Sequence, residues 1–178
     1  MGVSGSGKST LGELLARKLD CPFLEGDDFH DARAVAKMRA GQPLDDDDRW
    51  PWLDRLGVAV GQSLAAEGLV VAACSALRRS YRERLRGAIV APTRFLLLEA
   101  DHAELVRRLT HRSDHYMPAS LLDSQLATLE HPGVDEAVLR LDAATPPEDL
   151  CAMTQAWLSD AGQVGDAAPS PGHFASGH

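Results

Sequence analysis

The first ten residues contain the most specific chemical pattern in the chain. Gly2, Gly7, Lys8 and Ser9 occupy every fixed position of the pattern G-x-x-x-x-G-K-[ST]. In such a loop, backbone N–H groups surround phosphate oxygens, the lysine contacts the β- and γ-phosphates, and the hydroxyl can ligate Mg²⁺. A flexible Gly/Ser terminus would not explain the amphipathic helix predicted directly afterwards, at Thr10–Leu19, whose N-terminus favours an anion. The pattern therefore predicts a nucleotide-phosphate site at Gly2, Val3, Ser4, Gly5, Ser6, Gly7, Lys8, Ser9 and Thr10.

The element in front of this loop is expected to be a buried strand, since a phosphate loop joins a strand to a helix. Only Met1 precedes Gly2 in the sequence. A strand there would bury about five apolar side chains, worth on the order of 7–15 kcal/mol as an upper bound. Whole domains are stable by only about 5–15 kcal/mol. We therefore expect a first strand to be missing from this sequence.

Composition and charge limit the classes of partner. The 178 residues suffice for one domain, and the formal net charge of −8 argues against a nucleic-acid or anionic-membrane surface. A few local arginines can still bind a small anion. Three separated cysteines without a C-x-x-C pair, no signal peptide and no apolar run of about 20 residues predict a reduced, cytoplasmic protein.

Short apolar runs alternate with amphipathic stretches along the rest of the chain. Strands are predicted at residues 21–28, Leu69–Cys74, Thr93–Glu99 and Val138–Asp142. Further helices are predicted at Asp31–Arg39, Trp52–Glu67, Tyr81–Arg86, His102–Thr110, Leu121–Leu129 and Pro147–Leu158. This alternation predicts an α/β fold with a parallel sheet flanked by helices. We expect one domain at residues 1–159, followed by a disordered tail of Gly, Ala, Pro, Ser and His at 160–178.

Four further segments narrow the choice among phosphate-loop proteins. A GTPase needs an N-K-x-D motif, and the chain contains no asparagine. The segments are FLEGDDFH (23–30), KMRAGQPLDDDDRWPWL (37–53), CSALRRSYRERLR (74–86) and HRSDHYMPASLLDSQLATLEHP (111–132). With the opening loop, they resemble the gluconokinase family of short phosphate-loop kinases, related to shikimate kinase. The resemblance runs from residue 1 to about 158. Glu25 departs from it, because the family usually has Asp there.

The resemblance implies a fold, an activity and ligands. The fold is that of P-loop kinases, with a five-stranded parallel sheet and a small lid at about 111–120. The activity is ATP-dependent phosphorylation of D-gluconate at the 6-hydroxyl, which gives 6-phospho-D-gluconate and uses ATP and Mg²⁺. A homodimer is also implied. The alternatives are another small-molecule P-loop kinase, such as shikimate kinase, or a nucleotide-binding module without turnover.

Acidic residues at the end of the second strand are candidates for the chemistry. Ligands of open α/β sheets bind at the carboxyl ends of strands. Asp27, matched to the family's acidic pair, is therefore expected to orient or deprotonate the attacking hydroxyl; a helix cap is the alternative. The resemblance implies that Glu25 contacts Mg²⁺ through water, beside Ser9, and that His30 contacts gluconate hydroxyls.

Arginines are the candidates for binding the two anionic groups. In related kinases an arginine at the position of Arg49 binds the substrate carboxylate, which suits a guanidinium fork, with Asp46 and Asp48 holding it in place. In the lid, Arg112 is expected on the phosphates and His115 on the substrate. Cys74 is expected to be structural. The remaining substrate contacts that are expected are Ser75, Arg78 and Arg82.

Overall fold

The computed structural model of the protein describes residues 1–111 and 121–165. Seven α-helices and four β-strands lie within these residues. The strands are β1 (Phe23–Glu25), β2 (Val71–Ala73), β3 (Phe95–Glu99) and β4 (Val138–Asp142). The helices are α1 (Lys8–Leu19), α2 (Ala32–Arg39), α3 (Asp46–Glu67), α4 (Arg79–Ala88), α5 (His102–Thr110), α6 (Leu122–Thr128) and α7 (Pro147–Gly165).

The strands form two parallel pairs. β1 pairs with β2, Leu24 opposite Ala72, and β3 pairs with β4, Leu97 opposite Arg140. Met1 lies between the pairs. Its carbonyl accepts from the Leu98 N–H at 3.0 Å, and its amino group donates to the Leu96 carbonyl at 2.5 Å. On the other side, the Gly2 N–H donates to the Ser75 carbonyl at 3.2 Å, just beyond β2, so residues 1 and 2 run between the two pairs.

An apolar groove lies between the pairs and begins at Met1. It encloses about 1160 Å³, its open mouth included, and its walls include Leu15, Val60, Val70 and Leu96. Burial lowers the pKa of the Met1 amino group to about 5. The groove lies where the sequence predicts a strand ahead of the phosphate loop.

Helices cover both faces of the strands. On one face, α3 and α4 bring Trp52, Leu56 and Tyr81 into one apolar cluster. On the other, α1 and α7 bury Leu15 and Cys151. This layering confirms the expected α/β arrangement, in which the loops after the strands share one edge.

Two helices are longer than the sequence predicts by six residues or more. α3 begins at Asp46 rather than Trp52 because Asp45 and Asp48 form a reciprocal capping box at its N-terminus. α7 continues to Gly165, so the expectation of a disordered tail from residue 160 is wrong for 160–165, where no proline interrupts the helix. Residues 166–178 lie outside the described part. Within that part, no helix combines the length and the apolar character needed to cross a membrane.

Candidate active site

The phosphate loop has the backbone geometry that its glycines permit. Gly5 and Gly7 adopt φ angles of 83° and 93°, which other residues rarely adopt, and Gly7 is the N-cap of α1. The Lys8 ammonium donates to the Val3 carbonyl at 3.0 Å, so it lies over the loop. The Ser6 hydroxyl is buried and has no hydrogen-bond partner among the described residues. The loop therefore directs a lysine, a hydroxyl and a helix N-terminus towards one place, as phosphate binding requires.

Ser9 and Glu25 together offer oxygen ligands for a metal ion. The Ser9 hydroxyl donates to Glu25 Oε2 at 2.5 Å. Mg²⁺ prefers oxygen ligands and usually keeps several waters while binding one or two protein groups and substrate phosphates. The hydroxyl and carboxylate beside the loop fit this requirement. The Glu25 side chain thus reaches Ser9 directly.

Asp27 is positioned by a tight turn at the end of β1. Residues Gly26–Phe29 form one 3₁₀ turn, and the Asp27 N–H donates to Glu25 Oε1 at 3.4 Å. A Cβ atom at Gly26 would lie 2.3 Å from the Ala73 carbonyl oxygen, so only glycine fits here. The Trp52 indole N–H donates to the Gly26 carbonyl at 2.7 Å and holds the turn. The backbone of Asp27 is thereby held at the edge of the sheet.

His30 is a buried, neutral neighbour of Asp27. Its ring stacks on Trp52 with centroids 4.3 Å apart, and its Nε2 lies 4.0 Å from Asp27 Oδ1. Nδ1 has no hydrogen-bond partner within the described residues. Burial lowers the pKa of His30 to about 4, although the Asp27 carboxylate acts in the opposite direction. The imidazole is therefore uncharged at neutral pH and can exchange hydrogen bonds with hydroxyl groups.

One cavity brings six of the expected residues together. It encloses about 530 Å³, its mouth included. The expected site residues in its wall are Ser4, Lys8, Asp27, His30, Arg49 and Ser75. Gln125 of α6 also lines it. Its side chain accepts from the Ser4 N–H at 2.7 Å and donates to the Ser4 hydroxyl at 3.2 Å. Helix α6 is thus joined to the phosphate loop.

A second cleft lies on the other side of the phosphate loop. It encloses about 990 Å³ with its mouth, and it is lined by Gly7, Thr10, Arg108, Thr145 and Pro146 among others. Arg108 is held by Glu104 at 2.6 Å and by the Ala143 carbonyl at 2.8 Å. The loop therefore separates a polar cavity from a broader, open cleft.

Arg49 and Arg78 lie close together but have different partners. Arg49 lines the cavity and donates to the Tyr81 hydroxyl at 3.1 Å. Arg78 binds both oxygens of Asp46 at 3.0 Å and does not line the cavity. Asp48, expected to hold Arg49, instead pairs with Lys37 at 2.5 Å. Arg49 is thus the guanidinium at the cavity wall.

Arg82 does not reach the cavity, so the expectation that it contacts substrate is wrong. Its side chain is buried and binds Glu136 with two hydrogen bonds of 2.7 Å. It also donates to the Glu130 carbonyl at 3.1 Å. The physical reason is its position on α4, which directs it into the protein beneath the 130–136 segment. Arg82 is a structural residue.

The remaining expectations concern the lid residues and Cys74. Arg112, His115 and most of the expected lid (111–120) lie outside the described residues. Burial raises the pKa of the Cys74 thiol to about 12, which leaves it unreactive and agrees with a structural role.

Comparisons with known proteins show the family to which the chain belongs. The AAA domain family matches residues 1–132. A gluconokinase of Gluconobacter oxydans is 48% identical over 148 residues, 83% of each chain. The crystal structure of a gluconokinase from Sinorhizobium meliloti 1021 has a TM-score of 0.79 at 43% identity and covers 92% of this chain and 91% of that chain.

A crystal structure of a sugar kinase from Janibacter sp. HTCC2649 has a TM-score of 0.83 at 42% identity, over 92% of this chain and 94% of that chain. These similarities confirm the resemblance and the phosphate-loop kinase fold, and they do not favour the shikimate kinase alternative. The chain belongs to the gluconokinase family.

Proposed function

We propose that this protein transfers the γ-phosphoryl group of ATP to the 6-hydroxyl of D-gluconate and forms 6-phospho-D-gluconate. The observation that supports this most directly is the shared cavity wall of Lys8, Asp27 and Arg49. These residues come from three separate segments. They supply, respectively, a cation for phosphate, a carboxylate for a hydroxyl and a guanidinium for a carboxylate.

The two spaces beside the phosphate loop suit the two substrates. ATP would place its phosphates on the loop and its adenosine in the cleft near Thr10 and Arg108. Gluconate would occupy the cavity, with its carboxylate on Arg49 and its 6-hydroxyl near Asp27. The transferred group would then cross from one side of the loop to the other, next to Lys8. Such positioning supplies much of the rate enhancement in phosphoryl transfer.

Each residue of the cavity has a definite task in this proposal. Asp27 accepts a hydrogen bond from the 6-hydroxyl and takes its proton as the bond to phosphorus forms. The Lys8 ammonium neutralises charge on the phosphate oxygens. Neutral His30 and Ser75 contact sugar hydroxyls. Mg²⁺, held by the Ser9 hydroxyl and through water by Glu25, would supply further charge neutralisation at the β- and γ-phosphates.

The expected lid residues complete the proposal. Arg112 would contact the phosphates and His115 the substrate when the segment covers the cavity. A homodimer remains a proposal drawn from the family resemblance.

The experiment is an ADP-release assay with MgATP and separate acceptors: gluconate, shikimate and nucleoside monophosphates. Turnover of gluconate alone is the expected result. Asp27→Asn should reduce kcat by at least a hundredfold, since a positioned base contributes about 10²–10⁴-fold. Its affinity for ATP should stay unchanged. Asp28→Asn is the matched control, because Asp28 is the exposed neighbour in the same turn and does not line the cavity.

Other results would redirect the assignment. ATP binding without turnover of any acceptor would favour a nucleotide-binding module. Full activity of Asp27→Asn would show that Asp27 does not accept the proton of the 6-hydroxyl.

A further inference from the structure

Tyr81 lies between the two arginines next to the cavity. Its ring is buried, and its hydroxyl donates to Asp46 Oδ1 and accepts from Arg49 Nη1 at 3.1 Å. The guanidinium carbons of Arg49 and Arg78 lie 5.5 and 5.7 Å from the ring centroid. One tyrosine therefore contacts both cations.

The charges in this cluster are unevenly shared. Asp46 is bound by Arg78 through both oxygens, so that pair is neutral as a whole. Among the described side chains, no carboxylate lies within ion-pair distance of Arg49. The nearby aspartates have other partners: Asp45 and Asp48 contact Lys37, and Asp46 contacts Arg78. Arg49 is held by a neutral hydroxyl. It therefore keeps a full positive charge at the cavity wall.

A tyrosine hydroxyl is suited to hold a cation without neutralising it. Its ring contacts Trp50 edge-on, with centroids 5.2 Å apart, and burial fixes its position. Burial raises the pKa of Tyr81, so the hydroxyl stays protonated and neutral at physiological pH. The proton donated to Asp46 leaves the lone pairs of the oxygen directed at Arg49. A long arginine side chain is thus restrained before any anion arrives, which lowers the entropic cost of binding one.

We propose that Tyr81 is a positioning residue that holds Arg49 as an uncompensated cation for the carboxylate of a sugar-acid substrate. This inference rests on the proposed function, and it adds the element that orients the carboxylate-binding arginine. Tyr81 itself does not line the cavity, so it acts through Arg49.

The test is Tyr81→Phe, which removes only the hydroxyl and keeps the ring. We expect KM for gluconate to rise about tenfold or more, because hydrogen bonds to charged groups are worth about a factor of ten to a hundred in binding. KM for ATP and kcat should stay within about twofold of the original protein. Ser80→Ala, an exposed change on the same helix, is the matched control.

A double-mutant cycle separates positioning from a general structural effect. In an Arg49→Ala background, Tyr81→Phe should not raise KM for gluconate any further. Independent, multiplicative effects of the two changes would overturn the proposal, and so would an unchanged KM in Tyr81→Phe. If the original protein does not turn over gluconate, the proposed function itself fails. Thermal unfolding of each variant checks that it is folded at the assay temperature.

Discussion

Replacing Arg82 with methionine tests whether this arginine supports the fold or binds substrate. In the structure it is fully buried, with two hydrogen bonds of 2.7 Å to Glu136 and one of 3.1 Å to the Glu130 carbonyl. Methionine fills similar space without charge. The change would leave the Glu136 carboxylate buried without its main partner.

The magnitude follows from what remains around Glu136. Removing one member of a buried ion pair costs about 3–5 kcal/mol. Arg86 stays 3.7 Å from Glu136, and the Gly133 N–H still donates to it at 3.2 Å. We therefore expect a loss near the lower end of that range, about 3 kcal/mol. At roughly 2–4 °C per kcal/mol for a domain of this size, the unfolding midpoint should fall by about 6–12 °C.

Acid stability supplies a second measurement on the same pair. Hydrogen bonds from Arg82 lower the pKa of Glu136 to about 2, below its ordinary 4.5. The stability that this carboxylate provides is present above pH 4.5 and is lost as the pH falls towards 2. In Arg82→Met the pKa of Glu136 should rise, so this acid-dependent loss should shrink. The double variant Arg82→Met/Glu136→Gln, which has no buried charge at this position, should be more stable than Arg82→Met alone.

The assays are calorimetry and steady-state kinetics at a temperature where the variant is folded. KM for gluconate should stay within about twofold of the original value. An unchanged unfolding midpoint with a raised KM for gluconate would refute this reasoning and restore Arg82 as a substrate contact.

Two further predictions concern His30 and the groove beside Met1. Because the pKa of His30 falls from 6.5 to about 4 on folding, stability present above pH 6.5 should be lost as the pH drops, by about 3 kcal/mol at pH 4. In urea titrations at several pH values, His30→Gln should lack this pH-dependent loss of stability. Identical stability–pH profiles of the variant and the original protein would contradict the prediction. An apolar strand of about five residues fused ahead of Met1 should fill the groove and raise the unfolding midpoint by several degrees in calorimetry. A Gly/Ser fusion of equal length is the control, and equal midpoints would show that the groove does not accept a strand.

The chemical residues of the site could be predicted because each belongs to a local pattern. The phosphate loop is defined by eight consecutive residues whose backbone forms the binding surface. Asp27 follows a strand, and the ends of parallel strands share an edge, so the α/β alternation placed it on the side of the phosphate loop. The choice of Asp27 among the neighbouring acids came from the family resemblance. Cys74, at the end of another buried run, is itself buried, which agrees with the expected structural role.

Contacts between distant segments could not be predicted in the same way. Gln125 reaches Ser4 across 121 positions in sequence, and nothing near either residue specifies the other. The length of α3 depended on whether four consecutive aspartates were a solvated run or a capping box, which only the backbone decides. The extension of α7 to Gly165 was missed because its composition resembles a linker.

The three arginines of the substrate region show why residue type alone was insufficient. The sequence around them does not distinguish the three arginines, because the partner of each lies 32 to 54 positions away. Arg82 meets a buried carboxylate and becomes structural, whereas Arg78 meets a half-exposed one beside the cavity. Arg49 meets a neutral hydroxyl and keeps its charge at the cavity wall. Since an anion binds to charge that no fixed carboxylate has neutralised, the identity of the partner, and not the arginine, decides which of the three can recognise a sugar acid.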